Sequence, residues 1–188
     1  MLTVTCVLKT GGDYDFEHLN RLYRLALPFL PDGFLWQPVL DSPCPGWWSK
    51  ISLFEPGRFT GRVLYLDLDT TPCGQLADLA AVEGEFVICR DYATLGFNSS
   101  VMAWDAGTCD DIWHGFSPET TEWFRGDQNY IQAKRPGAAT FPRVWVPSWK
   151  ATVRPQGVLS PDARVCVHHG RPRPWELPAD YLEAYRVG

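Results

Sequence analysis

One stretch constrains this chain more than any other: Gly61-Arg62-Val63-Leu64-Tyr65-Leu66-Asp67-Leu68-Asp69-Thr70. A short run of β-branched, aliphatic and aromatic residues, bounded by Gly before it and Thr-Thr-Pro after it, reads as a fully buried strand of an α/β sheet. Asp67 and Asp69 then stand where that strand leaves the sheet. Open α/β sheets bind ligands at the carboxyl ends of their strands, so acids placed there are candidates for chemistry. Residues i and i+2 of a strand point the same way, which would turn both carboxylates toward one ion or substrate. A pair of solvated turn acids is the plain alternative.

Two chemistries compete for this pair: a divalent-metal site holding a nucleotide-sugar diphosphate, or a phosphatase nucleophile with its neighbouring acid. Composition narrows the field. A chain of 188 residues with 45% hydrophobic and 21% charged residues is expected to form one globular domain, 1–188, with a core of its own. The formal net charge of -5 argues against broad binding to a phosphate backbone. Cysteines 6, 44, 73, 89, 109 and 166 show neither a C-x-x-C pair nor zinc-type spacing, and most sit in apolar stretches. They are expected to be reduced and buried, as in a cytoplasmic protein. The first residues read as a strand and not as a signal sequence, and no window approaches a membrane span.

Along the chain, Leu2 to Leu8 is the first expected strand, with Lys9-Thr10-Gly11-Gly12-Asp13-Tyr14 as a loop at its carboxyl end. Glycine there permits close backbone approach, and Tyr14 offers a ring to a base. Phe16 to Phe29 is helical by its apolar spacing, and Phe34 to Leu40 is a second strand. Trp47 to Phe54 is an apolar helix with one embedded cation, Lys50, which either snorkels to the surface or points into the cleft beside the acids. After Asp69 come a short helix around Leu76 to Leu79, a strand over Glu85 to Cys89 ending at Arg90-Asp91, and a strand over Gly96 to Asp105. Helical turns are expected over Asp110 to Phe116 and Pro118 to Phe124, and a helix begins at Gly126-Asp127-Gln128. Val144-Trp145-Val146 and Ala163 to Val167 are further strands. The last runs into His168-His169-Gly170-Arg171-Pro172-Arg173-Pro174-Trp175, where imidazoles and guanidiniums share one strand end, a combination suited to a metal and a diphosphate. Tyr181 to Tyr185 closes the chain as a short helix.

Taken in order, these stations resemble the GT-A type glycosyltransferases, and most closely the family-eight, glycogenin-like group. The resemblance is carried by the Thr10 loop with Tyr14, by Lys50, by Leu64 to Asp69 as the D-x-D strand, and by Phe97-Asn98-Ser99-Ser100-Val101 as an F-N-S-G-type motif. Asp127-Gln128 matches the D-Q motif, and His169-Gly170 through Arg173-Pro174-Trp175 the terminal H-G and K-P-W motif. It implies a single domain with a mixed, mostly parallel sheet flanked by helices, and retaining transfer from a nucleotide-diphosphate sugar, UDP-sugar first. By the same resemblance Asp67, Asp69 and His169 would hold Mn²⁺ or Mg²⁺, with Mn²⁺ favoured by the imidazole. Thr10, Tyr14, Lys50, Asp91, Gly170 and Arg173 would contact the donor, and Asn98, Asp127 and Gln128 would lie around sugar and acceptor.

The chain also departs from that pattern. Ser100 stands for the usual Gly, Arg173 for Lys, and His168-His169-Gly170 is shorter than H-F-x-G, which leaves the metal ligand open between His168 and His169. A glycan, a protein side chain and a modified nucleic-acid base are all compatible acceptors. Asp67-Leu68-Asp69-Thr70-Thr71 also satisfies the D-x-D-x-T pattern of haloacid-dehalogenase-type phosphatases, with Asp67 as nucleophile. A non-catalytic nucleotide-sugar-binding module is the third reading.

Overall fold

The structure is a computed structural model describing residues 1–186. Its strands are β1 (Leu2–Thr5), β2 (Val7–Leu8), β3 (Leu35–Trp36), β4 (Val39–Leu40), β5 (Arg62–Leu66), β6 (Thr71–Pro72), β7 (Phe86–Arg90), β8 (Phe97–Asp105), β9 (Ala139–Thr140) and β10 (Val165–Cys166). The α-helices that matter here are α1 (Phe16–Ala26), α2 (Leu76–Ala80), α3 (Asp110–His114), α4 (Thr120–Trp123) and α5 (Asp127–Lys134), and a 3₁₀ helix spans Gly46–Phe54.

A mixed, mostly parallel six-stranded sheet runs in the order β3-β1-β5-β8-β7-β9. Strand β8 lies antiparallel to both of its neighbours, and the remaining pairs are parallel. The alternation of β5 explains how one run serves both faces: Leu64 and Leu66 pack toward α1 and α2, while Val63 and Tyr65 pack toward the 3₁₀ helix, α3 and α5. All four are essentially fully buried, so the sheet is covered on both sides. Gly61 starts this strand with φ +70, and a Cβ there would lie 2.7 Å from the Met1 carbonyl oxygen; only glycine lets β5 enter so close to β1.

Several expected elements are redrawn. The first strand breaks at Cys6 into β1 and β2, and the second breaks at Gln37-Pro38 into β3 and β4, because the continuation of each pair peels off as a separate two-stranded ribbon. Residues 143–146 are turn and bend, not a strand; the parallel partner of β7 is instead β9, just before Pro142. Strand β10 is only two residues long and pairs antiparallel with β6 outside the main sheet. Asn98 and Ser99, whose residue types suggest exposure, are buried inside β8. All six cysteines are free and buried. Among the described residues no helix is long and apolar enough to cross a membrane.

Candidate active site

Because β1, β5 and β7 run in one direction and β8 in the other, the carboxyl ends of the first three and the start of β8 meet at one sheet edge. Strand β5 stops at Leu66, and Asp67–Thr70 forms a turn in which the Thr70 N–H donates to the Asp67 carbonyl at 3.0 Å. The turn is pinned to β8 by the Asp67 N–H donating to the Ser100 carbonyl at 2.8 Å. Both carboxylates reach one cavity of about 590 Å³, although they do so from a turn and not from successive strand positions.

Each acid has its own cation. Lys50 Nζ lies 2.9 Å from Asp67 Oδ1, donates to Ser99 Oγ at 3.0 Å, and stands 3.6 Å from Asp127 Oδ2. The 3₁₀ helix that carries it buries Trp48, Ile51, Leu53 and Phe54, so the ammonium is carried inward with an apolar body and does not snorkel outward. Burial pulls the Lys50 ammonium down, but Asp127 and Asp67 outweigh it and hold the charge on well above the usual lysine range. The Tyr65 hydroxyl donates to Asp67. Arg173 donates to Asp69, which also accepts from the Tyr14 hydroxyl at 3.1 Å, and the guanidinium sits 5.6 Å from the Tyr14 ring centre. Burial, then the negative Asp67 nearby, pushes the Asp69 carboxyl above its ordinary range against the pull of Arg173.

Asp127 is the first residue of α5, after the N-cap Gly126, and it caps nothing there. Its carboxylate accepts from Ser99 Oγ at 2.6 Å and completes a chain from Asp67 through Lys50 and Ser99 to Asp127. Gln128 follows it on the same cavity wall. The cluster of Asp67, Asp69 and Asp127 with Lys50 and Arg173 is formally left with one negative charge in excess, a setting that attracts a further cation.

His169 also lines the cavity, but its Nε2 is 2.7 Å from Ser148 Oγ and its ring stacks on Tyr92. Among the described residues no group of three or more His, Cys, Asp or Glu side chains is placed to hold a metal. The expected three-ligand set is therefore not assembled. Asp67 and Asp69 do offer the hard oxygen pair with which a Mg²⁺-type ion is held when phosphate oxygens and water complete its shell. The remaining expected residues lie off the cavity lining. Thr10 is exposed and donates to Asp41 at 2.5 Å, Asp91 accepts from the Ala93 and Thr94 amides in its own loop, and Asn98 accepts from the Ser100 amide at 3.0 Å. Gly170 supplies a turn with φ +77.

The two histidines, which both line the cavity, differ in burial and partners. His168 is 2% exposed, with Nε2 2.6 Å from the Tyr181 hydroxyl and Nδ1 3.2 Å from the Pro172 carbonyl, so both ring nitrogens are used inside the fold. Burial, the largest cause, lowers it to about 4. The folded chain thus refuses a proton that the unfolded chain accepts near pH 6.5. Stability is then fully present above pH 6.5 and is lost as the pH falls toward 4, by up to about 3 kcal/mol. Urea unfolding of metal-free protein across this window is expected to show that loss, and His168→Gln is expected to remove it.

Sequence reasoning missed Ser99 as the bridge between Lys50 and Asp127, and Tyr65 as a donor to Asp67. The signal for Tyr65 was present, since it stands two residues before Asp67 at the end of β5.

No protein-family model matches the sequence, and no curated protein sequence does. Solved structures do match. The glycosyltransferase GlyE of Streptococcus pneumoniae TIGR4 superposes with a TM-score of 0.65 at 16% identity, over 93% of this chain and 57% of that one. The present chain thus spans little more than half the length of GlyE. The galactosyltransferase LgtC, solved with donor and acceptor sugar analogs, gives 0.63 at 12% identity over 92% of this chain and 89% of its own. A glycosyltransferase involved in glycosylation of the major capsid of PBCV-1 gives 0.63 at 13% identity, covering 97% and 98% of the two chains. With its mixed six-stranded sheet and the acids at the end of β5, the chain has the GT-A-type fold of these glycosyltransferases.

Proposed function

We propose that this chain is a metal-dependent glycosyltransferase that takes a nucleotide-diphosphate sugar, UDP-sugar first, and transfers the sugar with retention. The observation that carries the reading is the Asp67-Asp69 pair on one cavity, with Lys50 and Arg173 held against it, on a GT-A-type fold.

In this reading Asp67 and Asp69 would hold Mn²⁺ or Mg²⁺, with His169 as the third protein ligand. The ion supplies Lewis-acid stabilisation of the charge on the departing diphosphate. Lys50 and Arg173 are fixed cations for the same leaving group, placed before the substrate arrives and therefore needing little reorganisation. Tyr14 orients Arg173 through its ring and Asp69 through its hydroxyl. Asp127 and Gln128 face the sugar and acceptor, with Asp127 aimed by Ser99. Asn98 supports this wall by holding the Ser100 amide, and Thr10, Asp91 and Gly170 shape the loops around it. The free, buried cysteines support a cytoplasmic setting.

Thermal unfolding with a panel of nucleoside diphosphates and nucleotide sugars, each with and without Mn²⁺, tests the proposal. UDP with Mn²⁺ is expected to raise Tm, by several degrees at about 100 times Kd, and UDP-sugar hydrolysis is expected to need the metal. No shift with any nucleoside diphosphate and metal refutes it. Metal-dependent release of phosphate from an aryl phosphate restores the phosphatase, and binding without turnover supports the binding module.

A further inference from the structure

We propose that Trp47 is the stacking platform for a pyranose ring of a carbohydrate acceptor, at the mouth of the same cavity. The inference rests on the transferase reading and adds the class of the second substrate. It begins with two adjacent tryptophans of opposite fate. Trp48 is 6% exposed and packs against Phe116 and Tyr130, with ring centres 5.5 and 6.4 Å away. Trp47 is 63% exposed and lines the cavity. Core packing therefore explains the first indole and not the second, which lies open on the lining of the cavity.

Its setting indicates which ligand would use it. Trp47 is held between the turn at Gly46, where φ is +50, and the start of α5, where a Cβ on Gly126 would come within 3.6 Å of its Nε1. Asp127 and Gln128, the next two residues of the chain, line the cavity beside it. A flat apolar ring flanked by a carboxylate and an amide matches the two sides of a sugar, whose C–H face stacks on aromatics and whose hydroxyls donate and accept at its rim. The other phenolic and indole rings of the lining are engaged: Tyr14 is packed edge-on against His18 and Trp175 beneath Arg173, and Tyr65 is 1% exposed. Of the cations that would take the donor's diphosphate, Arg173 stands on Asp69 and Lys50 between Asp67 and Asp127, whereas Trp47 lies against Gly126, next to Asp127 and Gln128. A nucleic acid is disfavoured as the partner by the net charge of -5.

The test is saturation-transfer NMR on protein held with UDP and diamagnetic Mg²⁺, using the methyl pyranosides of glucose, galactose and mannose, lactose, and thymidine as the nucleoside control. At least one saccharide is expected to bind, with the strongest transfer to its axial C–H protons. Trp47→Ala is expected to weaken that binding by about tenfold, and Trp47→Phe to retain most of it. The UDP-Mn²⁺ thermal shift is expected to be the same in all three proteins, which separates this inference from the donor reading. Unchanged saccharide affinity in Trp47→Ala overturns it. So does the absence of any saccharide binding to UDP-loaded wild-type protein, or binding of thymidine at Trp47 in place of the sugars. A wild-type protein without a UDP-Mn²⁺ shift refutes the transferase reading itself and the inference with it.

Discussion

Asp69→Asn is expected to reduce metal-dependent turnover of the nucleotide sugar by about three orders of magnitude while leaving the protein folded. The substitution keeps the shape and one acceptor oxygen for Tyr14, so the loss isolates the charge. Lewis-acid stabilisation of a departing diphosphate is worth several kcal/mol, and each 1.4 kcal/mol is about a factor of ten in rate. Asp67→Asn is expected to behave alike, and in both variants the Tm increase given by UDP with Mn²⁺ should disappear. Turnover within tenfold of wild type in Asp69→Asn would remove the acids from the reaction. His169→Ala belongs to the same experiment, because an Mn²⁺ affinity unchanged in that variant restricts the protein ligands to the two carboxylates. That outcome would match a ring bonded to Ser148 and stacked on Tyr92.

The largest effect on stability is expected at Lys50. Its side chain is 14% exposed and separates Asp67 from Asp127, so Lys50→Met removes the cation that is paired with both of those acids. Leaving a buried charge unpaired costs about 3 kcal/mol or more, against about half of one for an ordinary surface lysine. For a chain of this size that is a fall in Tm of roughly 10 °C. Adding Asp127→Asn to Lys50→Met should recover part of the loss, since one of the two orphaned carboxylates is then gone. Urea unfolding of the two single variants and the double variant checks this. A Lys50→Met protein as stable as wild type contradicts the pairing.

The parts of the site that were legible in the sequence share one property: local pattern places them. Val63 to Leu66 reads as a buried strand from its apolar run and flanking turn residues, which puts Asp67 and Asp69 at its end. Asp127 and Gln128 open a helix because Gly126 precedes them, and Lys50 stands out as a lone cation in an apolar helix, although its direction was open between surface and cleft. The readings that failed depended on pairing between distant segments. Val144-Trp145-Val146 has strand composition, yet its backbone is bracketed by Pro142 and Pro147 and β7 pairs with β9 instead. The positions of Thr10, Asp91 and Asn98 off the cavity lining were likewise invisible locally, since each is set by hydrogen bonds within its own loop, ribbon or strand.

The sequence by itself determined that two acids would end a buried strand at the ligand-binding edge of an α/β sheet, because hydrophobic periodicity and turn residues act within a few positions. Only the tertiary structure decided what faces them. Arg173 reaches Asp69 across 104 residues, Ser99 meets Lys50 across 49 and Asp127 across 28, and of the two histidines at the cavity His168 is tied to Tyr181 and His169 to Ser148. Such partnerships depend on where the sheet order brings separate segments together, and burial then fixes the charge each group carries.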